Sequence, residues 1–312
     1  MQIIGIDYDD KALRCGRIQN ADKPEFVKLK QFPANNKGLK SLDAWIDECC
    51  AKDHSSVLIS LVVDNQQGAS LAYRFYNAGF AIAPMTLAGI RTEIRKDKLR
   101  RQASEIIAQK ASSWKMRWTP LSSQLLELRS HLIEREISRI ECLHNQAKNQ
   151  VYEAQAFDFL IQLTQNAANA HAIQIENAEK AILALMEKVS AFKTDFNLLM
   201  TIPGMTQMAA AALVYVTHAF PADSAENMAS MLKLHDAAGF RAENYRAPEL
   251  KIARMELYCA AQQAQLVIPG LRSLSERMIA SGKSLRCTQF AACHKLAKMA
   301  FSMIKNQKAY QE

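Results

Sequence analysis

The sequence predicts an α/β N-terminal domain, then a long pair of helices, then an all-α C-terminal domain. Three observations carry that expectation. Short apolar runs near the N-terminus end in acids, as buried strands feeding loops do. From Leu121 onward apolar residues recur in steps of three and four. A small-residue helix opens directly after Pro203-Gly204.

At 312 residues the chain is long enough for two domains and a sizeable core. A hydrophobic content of 49% with 22% charged residues places it among ordinary globular proteins rather than disordered ones. No apolar run approaches the roughly 20 residues of a membrane span, and MQIIGIDYDD is too short and too acidic for a secretory signal. The expected setting is the cytoplasm, with no membrane partner. The seven cysteines form no C-x-x-C pair, which predicts reduced and mostly buried thiols. Cys287, Cys293 and His294 lack the further ligands of a zinc site.

Residues 2–8 (QIIGIDY) read as a central strand with Asp7 at its C-terminal edge. ALRCGRIQ (12–19) and EFVKLKQF (25–32) continue a meander. Asn35 and Asn36 introduce an amphipathic helix through Leu39, Leu42, Trp45, Ile46 and Cys49. VLISLVVD (57–64) is a continuous apolar strand, as in a sheet covered on both faces, and it too ends in an acid, Asp64. A helix from about 69 to 78, Gly79 as its C′ residue and a strand over 80–84 complete a βαβ unit. Three strands, a helix, then alternating strands and helices is the order of an RNase H-like fold. In that fold acids at neighbouring strand ends meet and can hold two Mg²⁺ ions, so Asp7 and Asp64 are candidate catalytic and metal-binding residues.

Net charge is +8 with a pI near 9.1, which favours a polyanionic partner. Between Arg91 and Trp118 there are nine Lys/Arg against three acids, Glu93, Asp97 and Glu105. A basic helix ending in Trp114 and Trp118 suits a phosphate backbone with stacked bases. Its candidate nucleic-acid contacts are Arg91, Arg95, Lys96, Lys98, Arg100, Arg101, Lys115 and Arg117.

Two heptad seams follow. One runs Ile133, Ile137, Ile140, His144, Ala147, Val151, Ala154; the other runs Ile175, Ile182, Leu185, Val189, Phe192, Phe196, Leu199. The polar stretch Thr164–Asn169 is expected to turn the chain between two antiparallel helices. His144 reads as a register-setting polar residue. In LLMTIPGMTQMAAAALVYV (198–216), Gly204 suits a turn with positive φ, and Ala209–Ala212 admit close approach of a backbone or a phosphate. That is the outline of a helix-hairpin-helix, with Gly204 and Thr206 as candidate phosphate contacts; the alternative is a tight turn with an alanine-packed interface. Beyond it, a helix over 228–240 closed by Gly239, an irregular stretch over 241–252, a helix over 253–265, a turn at Pro269-Gly270 and two final helices are expected. The boundaries predicted are 1–118, 119–197 and 198–312.

An ordered set of segments resembles the insertion sequence 110 family of DEDD transposases, which includes the Piv-type DNA invertases. In the N-terminal half these are GID (5–7), LAYRFYNAGF (71–80) and EIIAQKA (105–111). In the C-terminal half they are TIPGMTQMAAAAL, AGF (238–240), ELYCAA (256–261), SGK (281–283) and HKLAKMAFSMIKNQKAY (294–310). The resemblance implies a RuvC-like domain, a coiled-coil spacer and a C-terminal transposase domain. It also implies binding of DNA and a structured guide RNA, and assembly as an oligomer.

The family's chemistry needs four carboxylates and a serine nucleophile, and this chain departs from both requirements. Asp7 matches the first acid, while the second falls near Val63, so that Asp64 serves only with a one-residue shift. The third and fourth positions hold Arg100 and Ala103. Asp97 and Glu105 are nearby but eight residues apart, roughly 12 Å along a helix. RAENYRAPELKIARM (241–255) contains no serine, which leaves only the distant Ser224 and Ser230.

Three readings follow. The first is a nucleic-acid-binding regulator or accessory factor of transposase ancestry that no longer cuts. The second is an active Mg²⁺-dependent recombinase using a rearranged site. The third is a protein-interaction module built on the coiled coil.

Overall fold

The computed structural model describes residues 2–19, 26–50, 54, 57–97, 102–112, 120–155, 157–220, 222–232, 234 and 248–311. The chain divides into two units, Met1–Leu126 and Glu127–Glu312. An α/β unit followed by helices is present, as the sequence predicts.

The first unit is built on strands β1 (Gln2–Tyr8), β2 (Ala12–Ile18), β3 (Phe26–Pro33), β4 (Val57–Val62) and β5 (Ala81–Met85), in the order β3-β2-β1-β4-β5. The β1–β2 and β2–β3 pairs are antiparallel, and β1–β4 and β4–β5 are parallel. Crossovers are made by α1 (Asn36–Cys50) and α2 (Gln66–Asn77), and the chain continues into α3 (Leu87–Lys96) and α4 (Ala103–Ala111). All six residues of β4 are buried, because the sheet is covered on both faces. One core joins Ile4, Ile6, Leu13, Ile59 and Leu61 to Trp45 of α1 and Phe75 of α2. The other joins Ile3, Ile18 and Leu58 to Ile107, Ala108 and Ala111 of α4. Gly5 lets α4 lie directly on β1: a Cβ there would stand 2.2 Å from the Ser104 carbonyl oxygen. Any side chain at residue 5 would push α4 off the sheet.

The second unit contains nearly all of α5 (Ser123–Ala154), and then α6 (Asp158–Lys188), α7 (Ser190–Met200), α8 (Gln207–Ala219), α9 (Ala225–Met231), α10 (Pro248–Val267), α11 (Pro269–Ala280) and α12 (Leu285–Asn306). Helix α8 is its centre: Met208 through Val216 are all buried. An apolar helix without a solvent stripe belongs inside a bundle.

Five expectations are corrected. The break between the long helices falls between Ala154, where α5 ends, and Asp158, where α6 begins, not in Thr164–Asn169, which is inside α6. The Phe157 amide closes the end of α5 on the Tyr152 carbonyl, and Thr164 satisfies its hydroxyl within its own helix by donating to Leu160 O at 2.9 Å. The basic stretch is not one helix: α3 ends at Lys96 and α4 begins at Ala103, so the argument placing Asp97 and Glu105 on one axis does not hold. Pro269 is not in a turn but is the first residue of α11, where its missing N–H costs nothing. Helix α9 ends at Met231, well short of the expected Gly239, which lies with residues 235–247 outside the described residues.

The fifth correction concerns the first heptad seam. Helices α5 and α6 pair through polar and small groups. Ser138 donates to Gln174 at 3.2 Å, the Arg135 guanidinium reaches Glu179 at 2.7 Å, the Thr164 hydroxyl oxygen lies 3.0 Å from Asn149 Oδ1, and the Cys142 thiol lies 3.5 Å from Ala168 O. The stripe from Ile133 to Ala154 lies on the opposite side of α5, with Ile137 56%, Ile140 48% and Val151 55% exposed. The second seam does enter the core through Ile182, Leu185, Phe192, Phe196 and Leu199.

Candidate nucleic-acid interface

Strands β1 and β4 are adjacent and parallel, so Asp7 on β1 and Asp64 just past β4 lie at the same end of the sheet. Tyr8 stands with both: burial, then the negative charges of Asp64 and Asp7, push its hydroxyl up to about 12. That hydroxyl lies 2.8 Å from Val62 O and 2.7 Å from Asn65 Oδ1, and Asn65 Oδ1 in turn accepts from the Gly68 amide to cap α2.

The two acids are already engaged. Arg14 is the cross-strand partner of Asp7 in the β1–β2 register. Its guanidinium lies 3.2 Å from Asp7 Oδ2 and 2.5 Å from Asp9 Oδ2. Directly opposed side chains on antiparallel strands are within reach of each other, so this clamp follows from register. Asp9 is held down to about 2 by Arg14 and by the amides of Lys11 and Ala12. Asp7 moves the other way: burial raises its carboxyl above the ordinary 3.8, against the pull of Arg14. Asp64 accepts from the Leu87 amide at 2.6 Å, at the start of α3, where Thr86 supplies the N-cap.

For a divalent cation this donor set is a poor fit. One Asp7 oxygen belongs to a cation of the chain itself, and Asp64 serves a helix start. Glu105 accepts from the Gln102 amide at 3.0 Å in the capping box of α4, and Asp97 is the C-cap of α3. Among the described residues no group of three or more His, Cys, Asp or Glu is arranged to hold a metal ion. No step through Mg²⁺ is derived from this arrangement.

The cations present a different picture. Arg91, Arg95 and Lys96 are all exposed on α3, and none pairs with an acid among the described residues. Arg91 and Arg95 are one helical turn apart and so share a face. On the same helix Glu93 pairs with Lys110 at 3.2 Å, tying α3 to α4. Lys98, Arg100, Arg101, Trp114, Lys115, Arg117 and Trp118 lie outside the described residues.

At the Pro203-Gly204 turn the packing reading accounts for the small residues. Gly204 has φ +84°, and a Cβ there would stand 2.5 Å from the Ala264 amide nitrogen of α10. Thr206 spends its side chain on capping α8, accepting from the Ala209 amide at 3.2 Å. Ala209 through Ala212 are buried against neighbouring helices. Ser224 is likewise an N-cap, of α9.

A second basic region was missed in reading the sequence. From Pro269 to Glu312 there are eight Lys/Arg against Glu276 and Glu312. They fall on α11, α12 and the segments flanking α12. Beside α12 runs an open groove of about 630 Å³ lined by Phe290, His294, Lys295, Lys298, Leu274 and Leu234, among others. Lys298 is paired with Glu226, and Lys295 reaches Gly270 O at 3.4 Å. The Arg286 guanidinium stands 5.9 Å from the Phe290 ring centre. The signal for this region in the sequence is its charge balance alone, because it carries no tryptophan.

No family model matches the chain, and no curated protein sequence matches it.

Proposed function

We propose that this protein binds nucleic acid, as a regulator or accessory factor of transposase ancestry whose acid site no longer cuts. The observation that carries the reading is a contrast within the first unit. Asp7 is clamped by Arg14, whereas Arg91, Arg95 and Lys96 stand exposed without acidic partners among the described residues. An exposed, unpaired cation retains its full attraction for phosphate, while a paired carboxylate has little left for a metal. The sheet order β3-β2-β1-β4-β5 supports an RNase H-like, RuvC-type ancestry for this unit. The exposed α5 stripe supports assembly with a second copy, and DNA or a structured RNA is the polyanion proposed.

The test is to purify the full chain at moderate salt and sequence any nucleic acid that travels with it. A defined DNA or RNA is expected. A clean protein with an absorbance ratio free of nucleic acid would overturn the reading.

One observation favours a second reading, an active Mg²⁺-dependent recombinase: Asp7 and Asp64 do lie at the same end of neighbouring strands. Strand cleavage or joining that Asp7→Ala abolishes would establish it in place of the first.

A further inference from the structure

The apolar stripe left exposed on α5 has a definite charge pattern beside it. In heptad terms Ile137, His144 and Val151 occupy a positions, and Ile133, Ile140, Ala147 and Ala154 occupy d. The flanking e positions are Glu134, Glu141 and Lys148; the g positions are Glu136, Leu143 and Gln150. Glu141 and Lys148 are both exposed, and neither pairs with an opposite charge among the described residues. Leu143 adds a further 52%-exposed apolar side chain at the edge of the stripe. The face opposite is already used by α6, so whatever covers this stripe comes from outside the hairpin.

The geometry points to a second copy of the same chain, lying antiparallel on the first α5. The occupant is set by charge complementarity. In an antiparallel pair e positions face e positions across the seam, and a layers meet d layers. Aligning Ile140 with the partner's Val151, and His144 with the partner's Ala147, brings Glu141 beside the partner's Lys148. The two-fold axis repeats that pair, so every such dimer gains two Glu–Lys contacts flanking its centre. Sliding one helix by a heptad sets Glu141 against Glu141 between two Glu134–Lys148 pairs in one direction, and Lys148 against Lys148 in the other. A parallel pair sets Glu136 against Glu141 and stacks His144 on His144. Of these arrangements, only the first combines apolar layers with opposite charges and sets no like charges against each other. Small residues at Ala147 and Ala154 let the backbones approach closely, and His144 then meets an alanine rather than a second imidazole.

This inference rests on the self-association in the proposed function and specifies its surface, direction and register. It is tested on the full chain by sedimentation equilibrium, with circular dichroism to verify that each variant folds. The wild type is expected to dimerise. Glu141→Lys and Lys148→Glu each place like charges at both contacts and are expected to weaken the dimer about tenfold or more. The double variant restores both pairs in swapped form and is expected to recover most of the affinity. A wild type that stays monomeric overturns both the self-association and this register. A dimer in which the double variant is no tighter than the singles overturns the register alone.

Discussion

The two heptad seams of this protein are equally regular in sequence and end in opposite environments. Ile182, Leu185, Phe192 and Phe196 are inside the second unit, whereas Ile137, Ile140 and Val151 are about half exposed. The difference is in what surrounds each stripe. The 175–199 seam runs through α6 into α7, which packs against α8 and α12 and so has partners within the chain. The 133–154 seam lies on a helix whose inward face is supplied by other residues, among them Ser138, Cys142 and Arg135. A heptad pattern states that a stripe is to be covered; it does not state by which chain.

This contrast can be broken most severely where α5 is itself buried. Arg129 and Glu249 form an ion pair with side chains 6% and 1% exposed. Arg129→Met leaves the Glu249 carboxylate buried without its cation, and a loss of about 3–5 kcal/mol is expected in urea unfolding. On the buried seam Leu185→Ala opens a cavity in the second unit, with an expected cost of about 2–5 kcal/mol by the same assay. Gly204→Ala strains a left-handed residue and drives a methyl into the α10 backbone, so a loss of more than about 1 kcal/mol is expected. Ile137→Ala on the exposed seam is expected to change monomer stability by less than about 0.5 kcal/mol, measured at concentrations too low for association. A loss as large as that of Leu185→Ala would show that α5 is covered within the chain after all.

The smallest effect concerns pH and the sheet-end cluster. Asp9 is held low in the folded state, so its contribution is present above the unfolded value near 3.8 and fades as pH falls toward 2. Asp7 is raised by burial, so the folded state takes up its proton before the unfolded chain does, and its contribution grows as pH falls through the folded value. The two oppose each other on the acid side. Asp7→Asn removes the second, and thermal melts between pH 6 and 2 are expected to fall more steeply than those of the wild type. Identical acid limbs would contradict this assignment.

Most of the first unit was legible in the sequence because a strand buried on both faces, such as β4, writes its burial as an unbroken apolar run. Gly79 marked the end of α2 for an equally local reason: it takes φ +92°. The acid cluster was legible only in part. Asp7 and Asp64 could be placed at strand ends, but the Arg14 clamp depends on cross-strand register, which no run of residues displays. Thr164–Asn169 misled because polar residues that face another helix look the same as polar residues in a loop. The buried Arg129–Glu249 pair was invisible for a related reason, since its members are 120 residues apart.

The most direct test of the central proposal is a titration of the full chain into labelled DNA and RNA, in Mg²⁺ and over a series of salt concentrations, with every endpoint also run on a denaturing gel. Binding is expected to weaken steeply with salt, to be lost when Arg91, Arg95 and Lys96 are reversed to Glu, and to leave the strands intact. Binding indifferent to salt and to the reversal, or Mg²⁺-dependent cleavage that Asp7→Ala abolishes, would contradict it.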